Sequence, residues 1–160
     1  MAWFKLDAEI SGGVVDIFTM NFTAKKFNVI LLHTLATAAK DHRLTTDNNA
    51  TADYTWRRSL NGGADNTQVS QSYIDLNVGL NTLDAFCVLY GINITGEEKL
   101  FISFEVEASA TGAATAPDRN EVTSKVDTST NSGQYAEIDI NNTLAGSYNT
   151  GSSFVILGTD

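Results

Sequence analysis

The run "KLFISFEVEASA", residues 99–110, sets the strongest constraint on this chain. Leu100, Ile102, Phe104, Val106 and Ala108 fall on one side of it, and Phe101, Ser103, Glu105 and Glu107 on the other. Side chains that change face at every residue belong to a β-strand. The apolar set is expected to face a core and the acidic set to face water. "QYAEIDI" follows the same rule, with Ala136, Ile138 and Ile140 expected inward and Tyr135, Glu137 and Asp139 outward. "EVTSKVD" turns Val122 and Val126 inward. "WFKLDAEI" sets Phe4, Leu6, Ala8 and Ile10 against Trp3, Lys5, Asp7 and Glu9, and "VVDIFTM" is one more short β-rich run.

Two segments break the alternation by being apolar on both faces: "FNVILLHTL" and "LDAFCVLYGINI". Such strands sit centrally in a sandwich or are half buried by a partner subunit. In the second, Phe86, Val88 and Tyr90 form the candidate subunit interface. Turn signals separate the runs at Ser11-Gly12-Gly13, Asn61-Gly62-Gly63, Asn131-Ser132-Gly133, Ala145-Gly146-Ser147 and Asn149-Thr150-Gly151. Spaced strands with glycine-rich turns and a single proline, Pro117, predict an all-β sandwich or barrel. "TLATAAKDHR" is the one helical candidate, and it could equally continue the strand before it. "ASATGAATAPDRN", residues 108–120, reads as a long exposed loop within one domain, because neither side of it carries a complete core of its own.

A chain of 160 residues buries roughly two-thirds of its unfolded surface in one core. It holds 10 Lys and Arg against 19 Asp and Glu, a net charge of -9, and its basic residues are scattered. Nucleic-acid affinity depends on clustered cations, so nucleic acid is not an expected partner. Cys87 is the only cysteine and lies in an apolar run, which predicts a buried thiol rather than a disulfide or a nucleophile. The N-terminus lacks the basic and apolar regions of a signal peptide, and no stretch approaches the ~18 apolar residues of a membrane span. The expectation is a protein made in the cytoplasm, with no membrane partner.

The stretch "TWRRSLNGGADNT", residues 55–67, holds the candidate ligand contacts Trp56, Arg57, Arg58, Asn61 and Asp65. Read as a strand, it puts Tyr54, Trp56, Arg58 and Leu60 on one face and Thr55, Arg57 and Ser59 on the other. The arginines then point oppositely and form no clamp. Arg58, beside Trp56, is placed to stack on an aromatic ring or to pair with a buried carboxylate. Asp47, Asn48, Asn49, Asp53, Asp65 and Asn66 carry hard oxygens suited to calcium, but their spacing matches no EF-hand loop, and turn capping explains them better. Exposed Trp56, Tyr73, Tyr135 or Tyr148 could stack on a sugar. His33 and His42 belong to no metal-ligand spacing, no nucleophile motif is present, and the pairs Glu105/Glu107 and Glu137/Asp139 are expected to stay solvated on outward faces. Neither enzyme chemistry nor a metal or cofactor is expected.

The order "LTTDNNATADYTWRRSLNGGADNTQVSQSYIDL", an apolar strand, "ITGEEKLFISFEV", "APDRNEV" and a terminal "SSFVILGTD" resembles small β-rich virion proteins and fibre-tip-like domains of marine phages and environmental viruses, from about Trp3 to Asp160. The resemblance implies an all-β, jelly-roll-like antiparallel sandwich in a single domain, residues 1–160, located in the virion. It implies a capsid-decoration or tail-fibre component that assembles as a symmetric homo-oligomer beside other virion proteins. The alternative is a carbohydrate- or receptor-binding module that meets a host-surface glycan.

Overall fold

The strands form where side chains alternate, but their inward faces are not always the apolar ones. The structure is a computed structural model and describes the chain apart from Met1, Ala36, Thr37, Lys40 and residues 78–83, 109–111, 130–131 and 145–146. In chain order it contains β1 (Phe4–Ile10), β2 (Ile17–Asn21), β3 (Phe27–Thr34), β4 (His42–Thr46), β5 (Tyr54–Leu60) and β6 (Asn66–Gln71). Then follow β7 (Ile74–Asp75), β8 (Ala85–Ile92), β9 (Lys99–Glu107), β10 (Asp118–Val126), β11 (Glu137–Asn142) and β12 (Ser153–Thr159). The described residues form no helix; the flanks of the helical candidate are β3 and β4, and Ala36, Thr37 and Lys40 within it lie outside the described residues.

The strands make two antiparallel sheets, ordered β1-β12-β3-β8-β9-β10-β5-β6 and β2-β11-β4-β7. Set side by side, β1-β12-β3-β8 and β2-β11-β4-β7 are the two four-stranded layers of a jelly roll, in which successive strands pass between sheets. The hairpins β5–β6 and β9–β10 are additions that widen one layer to eight strands. The fold is therefore an all-β, jelly-roll-like sandwich with one overgrown sheet.

The core lies between the layers. Phe18 and Met20 of β2, Leu44 of β4, Ile138 and Ile140 of β11 and Ile74 of β7 meet Ile30 and Leu32 of β3, Cys87 and Leu89 of β8, and Phe154 and Ile156 of β12. Aromatic rings set its depth: Phe18 stacks on Tyr148 at 5.1 Å, and Phe101 lies 5.8 Å from Tyr135. Gly91 sits opposite that pair because nothing larger fits there. A Cβ at Gly91 would come within 2.8 Å of the Phe101 ring and 2.9 Å of the Tyr135 hydroxyl.

Several expected faces are corrected. β9 has the predicted alternation with the opposite orientation: Phe101, Ser103, Glu105 and Glu107 are buried, while Leu100, Ile102, Phe104 and Val106 face outward. Register with β8 decides this, because Glu105 lies beside Cys87 and Phe101 beside Gly91, both on the core side. In β1 only Leu6 packs against the core, and Phe4 and Ile10 are exposed. A bulge between Lys5 and Asp7 changes the facing of this edge strand partway along. In β11 Ile138 and Ile140 point inward as expected, but Asp139 is also buried, accepting a hydrogen bond from Thr19 Oγ1 at 2.5 Å. Tyr135 is buried rather than outward, and Ala136 is exposed. Val122 and Val126 of β10 are in the core, as their pattern predicts. The exposed loop is shorter than the expected 108–120, since β10 begins at Asp118.

Candidate interaction face and buried polar centre

β3 and β8 resolve the question raised by their two apolar faces. Their inner halves fill the core, and their outer halves are left uncovered. Phe86, Val88 and Tyr90 stand on the outer face of β8, opposite Val106, Phe104 and Ile102 of β9. On the other flank, Val88 and Tyr90 adjoin Leu31 and Val29 of β3, which adjoin Val155 and Leu157 of β12. Antiparallel partners share a face, so these residues form one apolar band four strands wide. Phe86, Tyr90, Leu100, Ile102, Phe104 and Val106 are each 47–51% exposed. An aromatic side chain carries about 150–250 Å² of surface, so six apolar groups at half exposure leave on the order of 500 Å². That is in the upper part of the range for the largest patch on a soluble monomer, ~300–600 Å². Trp3, Phe27, Tyr90, Ile92, Leu100 and Ile102 surround a hollow of about 530 Å³ at one end of the band.

The border of this band is charged but neutralised. Along β10 and β5, Arg57 pairs with Asp65 at 3.1 Å, Arg119 with Glu121 at 3.3 Å and Lys125 with Glu98 at 2.6 Å. The two edges of the sheet are closed to strand addition. β1 carries its bulge with Lys5, Asp7 and Glu9, and β6 carries an extra residue between Gln68 and Gln71 with Ser70 at φ 52°. Bulges and charges are the usual guards of an edge.

The candidate ligand contacts do not form one patch. Trp56 and Arg58 are 4% and 8% exposed and point into the sandwich, so they are corrected from surface contacts to interior residues. Arg57 and Asp65 lie on the outer face, paired with each other. Asn61 is a strut: its Nδ2 donates to Asp118 Oδ1 and its Oδ1 accepts from the Arg119 backbone N–H, both at 2.8 Å. With φ of 53° at Asn61 and 72° at Gly62, the Asn-Gly pair makes the left-handed turn that such a hairpin requires. The opposed arginines follow from the alternation. Arg58 binds Asp75 Oδ2 at 2.7 Å and lies 5.1 Å from the Trp56 ring. The loop oxygens considered for calcium also bond within the chain. Asp47 Oδ1 accepts from the N–H groups of Ala136 and Glu137, and Asp53 Oδ2 accepts from Asn49 Nδ2.

Sequence reasoning missed a polar centre inside the sandwich. His42 is fully buried in β4 and stacks on Tyr148, whose hydroxyl is 2.8 Å from its Nδ1. Its Nε2 faces Glu105 at 4.0 Å. Glu105 and Glu107, expected on a solvated face, are buried, and Asn77 Nδ2 donates to Glu105 Oε1 at 2.7 Å. Arg58 Nη1 also donates to the Asn77 carbonyl at 3.1 Å. Burial, then the neighbouring Asp41 carboxyl, raise Asp75 to about 7 against the opposing pull of Arg58. Burial and Glu105 push the Cys87 thiol up, away from the reactive thiolate. Burial first, with Glu105 and Asp41 adding, keeps the Tyr148 phenol neutral. Chemically this centre joins the sheets: Asn77 bonds Glu105 of β9, Arg58 of β5 binds Asp75 of β7, and His42 of β4 faces Glu105 of β9, while His42, Asn77, Glu105 and Tyr148 have almost no contact with solvent. The one clue in the sequence was His42 between Asp41 and Arg43, a polar cluster entering a strand without a pattern of its own.

No protein-family model and no curated protein matches the chain. Among solved structures, it is similar to a scytalido-glutamic peptidase crystallised with a transition-state analogue, at TM-score 0.28 and 8% identity, covering 94% of this chain and 66% of that one. It is similar to the carbohydrate recognition domain of Emp47p at TM-score 0.22 and 8% identity, covering 99% and 89%. A mannose-binding lectin of Ralstonia solanacearum gives TM-score 0.16 and 8% identity, covering 66% and 93%. Likeness at this distance bears on no function.

Proposed function

We propose that this chain is a non-enzymatic structural protein of a virion, a capsid-decoration or fibre component that assembles as a symmetric homo-oligomer. One observation carries the reading: the outer face of β12-β3-β8-β9 offers a continuous apolar band where a solitary sandwich would place polar groups. A second copy is the occupant the surroundings favour. The band holds no carboxylate, ammonium or guanidinium group and one imidazole, His33 opposite Phe86; its border along β10 and β5 is neutralised by ion pairs, and the guarded edges leave the face as the route to association. The exposed apolar area, on the order of 500 Å², approaches the ~800 Å² per partner of a standard stable interface before any polar rim is counted. The resemblance to virion proteins supplies the setting, in which many copies of a stiff β unit stand side by side and no active site is needed.

Size-exclusion chromatography with light scattering tests the assembly. The wild type should run as a defined oligomer, and Ile102→Lys with Phe104→Lys should run as a folded monomer. A wild type that stays monomeric at high concentration, together with purified particles that lack the protein, would end the proposal.

A further inference from the structure

β3 carries one ionisable side chain on its outer face. Its inner positions, Asn28, Ile30, Leu32 and Thr34, are buried, while Phe27, Val29, Leu31 and His33 alternate with them on the side of the band. Register places His33 beside Phe86 of β8 and Ser153 of β12; beyond these, Phe86 adjoins Val106 of β9 and Ser153 adjoins Ile10 of β1. The row Ile10-Ser153-His33-Phe86-Val106 thus crosses five strands with the imidazole in the middle, and Ile10, Phe86 and Val106 are exposed. A second copy seated on β12-β3-β8-β9 covers His33 together with Phe86.

We propose that His33 makes the association of copies depend on pH: the neutral imidazole is covered along with the band, and its protonation drives the copies apart. This rests on the assembly reading above and adds a control to it. Imidazole gains its charge between about pH 8 and about pH 5. On the free subunit half-buried His33 holds that charge against water. Under a second copy its row neighbours are a phenyl ring and a neutral hydroxyl, and desolvation without a counter-charge disfavours the cation.

The charged and titratable groups around it are these. β8 brings Tyr90, two rows away, and the exposed Asp84, two positions before Phe86. β12 brings Ser153, Val155 and Leu157, and β1 brings Lys5 opposite Leu157. Past Val106 stands Arg119 of β10, paired with Glu121. On the other side of β3, His42 Nε2 meets Thr34 Oγ1 at 3.5 Å. An Asp84 carboxylate of a second copy set against His33 would reverse the sign and strengthen association in acid. The size follows from linkage: each imidazole that must lose its proton to be covered lowers the association constant by up to about tenfold per pH unit on the acid side, and two such groups by up to about 100-fold.

Sedimentation velocity from about pH 8 to about pH 5 tests this, with circular dichroism confirming the fold at each step. The wild type should be oligomeric at the alkaline end, dissociate into folded subunits at the acid end, and reassemble when the pH is restored. His33→Phe should stay oligomeric throughout, with His33→Gln as the substitute if that variant fails to fold, and His33→Lys should be a folded monomer at every pH. A wild type that is oligomeric at the alkaline end, is dispersed by Ile102→Lys with Phe104→Lys, and stays assembled in acid overturns the switch and leaves the assembly reading standing. A wild type monomeric at every pH overturns both. Tighter association in acid, or acid dissociation that persists without His33, overturns the switch by assigning the titration to Asp84 or His42.

Discussion

Truncating Phe101 and Phe104 to alanine, three positions apart on β9, should give opposite results. Phe101 is 2% exposed and packs against Tyr135 over Gly91. Its loss opens a cavity in a layer that cannot collapse, and Phe→Ala at such sites costs about 3–5 kcal/mol. For a domain of this size, each kcal/mol lowers the Tm by roughly 2–4 °C, so a fall of about 10 °C or more is expected. Phe104 is 47% exposed on the outer face. Full burial of such a ring is worth about 1.5–3 kcal/mol, so its truncation in an isolated subunit should cost about 1 kcal/mol. Urea denaturation at the lowest usable protein concentration, repeated at a concentration where copies associate, separates the terms. Phe101→Ala should be costly at both; Phe104→Ala should be mild when dilute and costlier when concentrated, because it also weakens the contact between copies. If dilute Phe104→Ala loses as much stability as Phe101→Ala, then β9 faces the other way and the interaction face does not exist.

Gly91→Ala drives a methyl group into the Phe101 and Tyr135 side chains and should cost about 1–3 kcal/mol in the same assay. Asn61→Ala loses two hydrogen bonds and a residue that tolerates positive φ, so a loss of about 1–2 kcal/mol is expected; Arg57→Ala, breaking an exposed pair, should change stability by less than about 0.5 kcal/mol. Asp75 adds a pH dependence of defined sign. Its folded value, about 7, lies above the ordinary carboxyl value of 3.8, so the folded state binds the proton more tightly. Stability should therefore be greatest at acid pH, fall as pH rises between those values, and level off above about 7, by on the order of 4 kcal/mol if the group acts alone. Asp75→Asn should remove this slope in denaturation curves collected across the range.

How much of this was legible follows from what period-two patterning can and cannot carry. The alternation in β9, β10 and β11 was readable, because strand geometry imposes it on any sequence. Which side of β9 faces the core was not, since a strand looks the same with its faces exchanged. The choice depends on register against β8 and on Asn77, which bonds Glu105 from 28 positions away. Burying two glutamates while leaving Ile102 and Phe104 outside contradicts a rule of hydrophobic burial applied strand by strand. It becomes intelligible once Glu105 is seen bonded to Asn77 and facing His42 across the layers, and the apolar face is assigned the proposed partner copy. β6 and β7 have no apolar rhythm and exist because β5 and β4 offer them backbone partners. At Trp56-Arg57-Arg58 the alternation is legible, and of the two alternatives it offers for Arg58, an aromatic ring or a buried carboxylate, the structure supplies both. Grouping Trp56, Arg58 and Asn61 with Arg57 and Asp65 as one ligand surface ignored that same alternation.

A single-particle reconstruction of the assembled wild-type protein addresses the central claim most directly. Copies should meet through β12-β3-β8-β9, with Phe86, Tyr90, Ile102 and Phe104 buried between them. An assembly that leaves those four side chains in solvent, or a protein that forms no assembly at the highest concentration imaged, would contradict it.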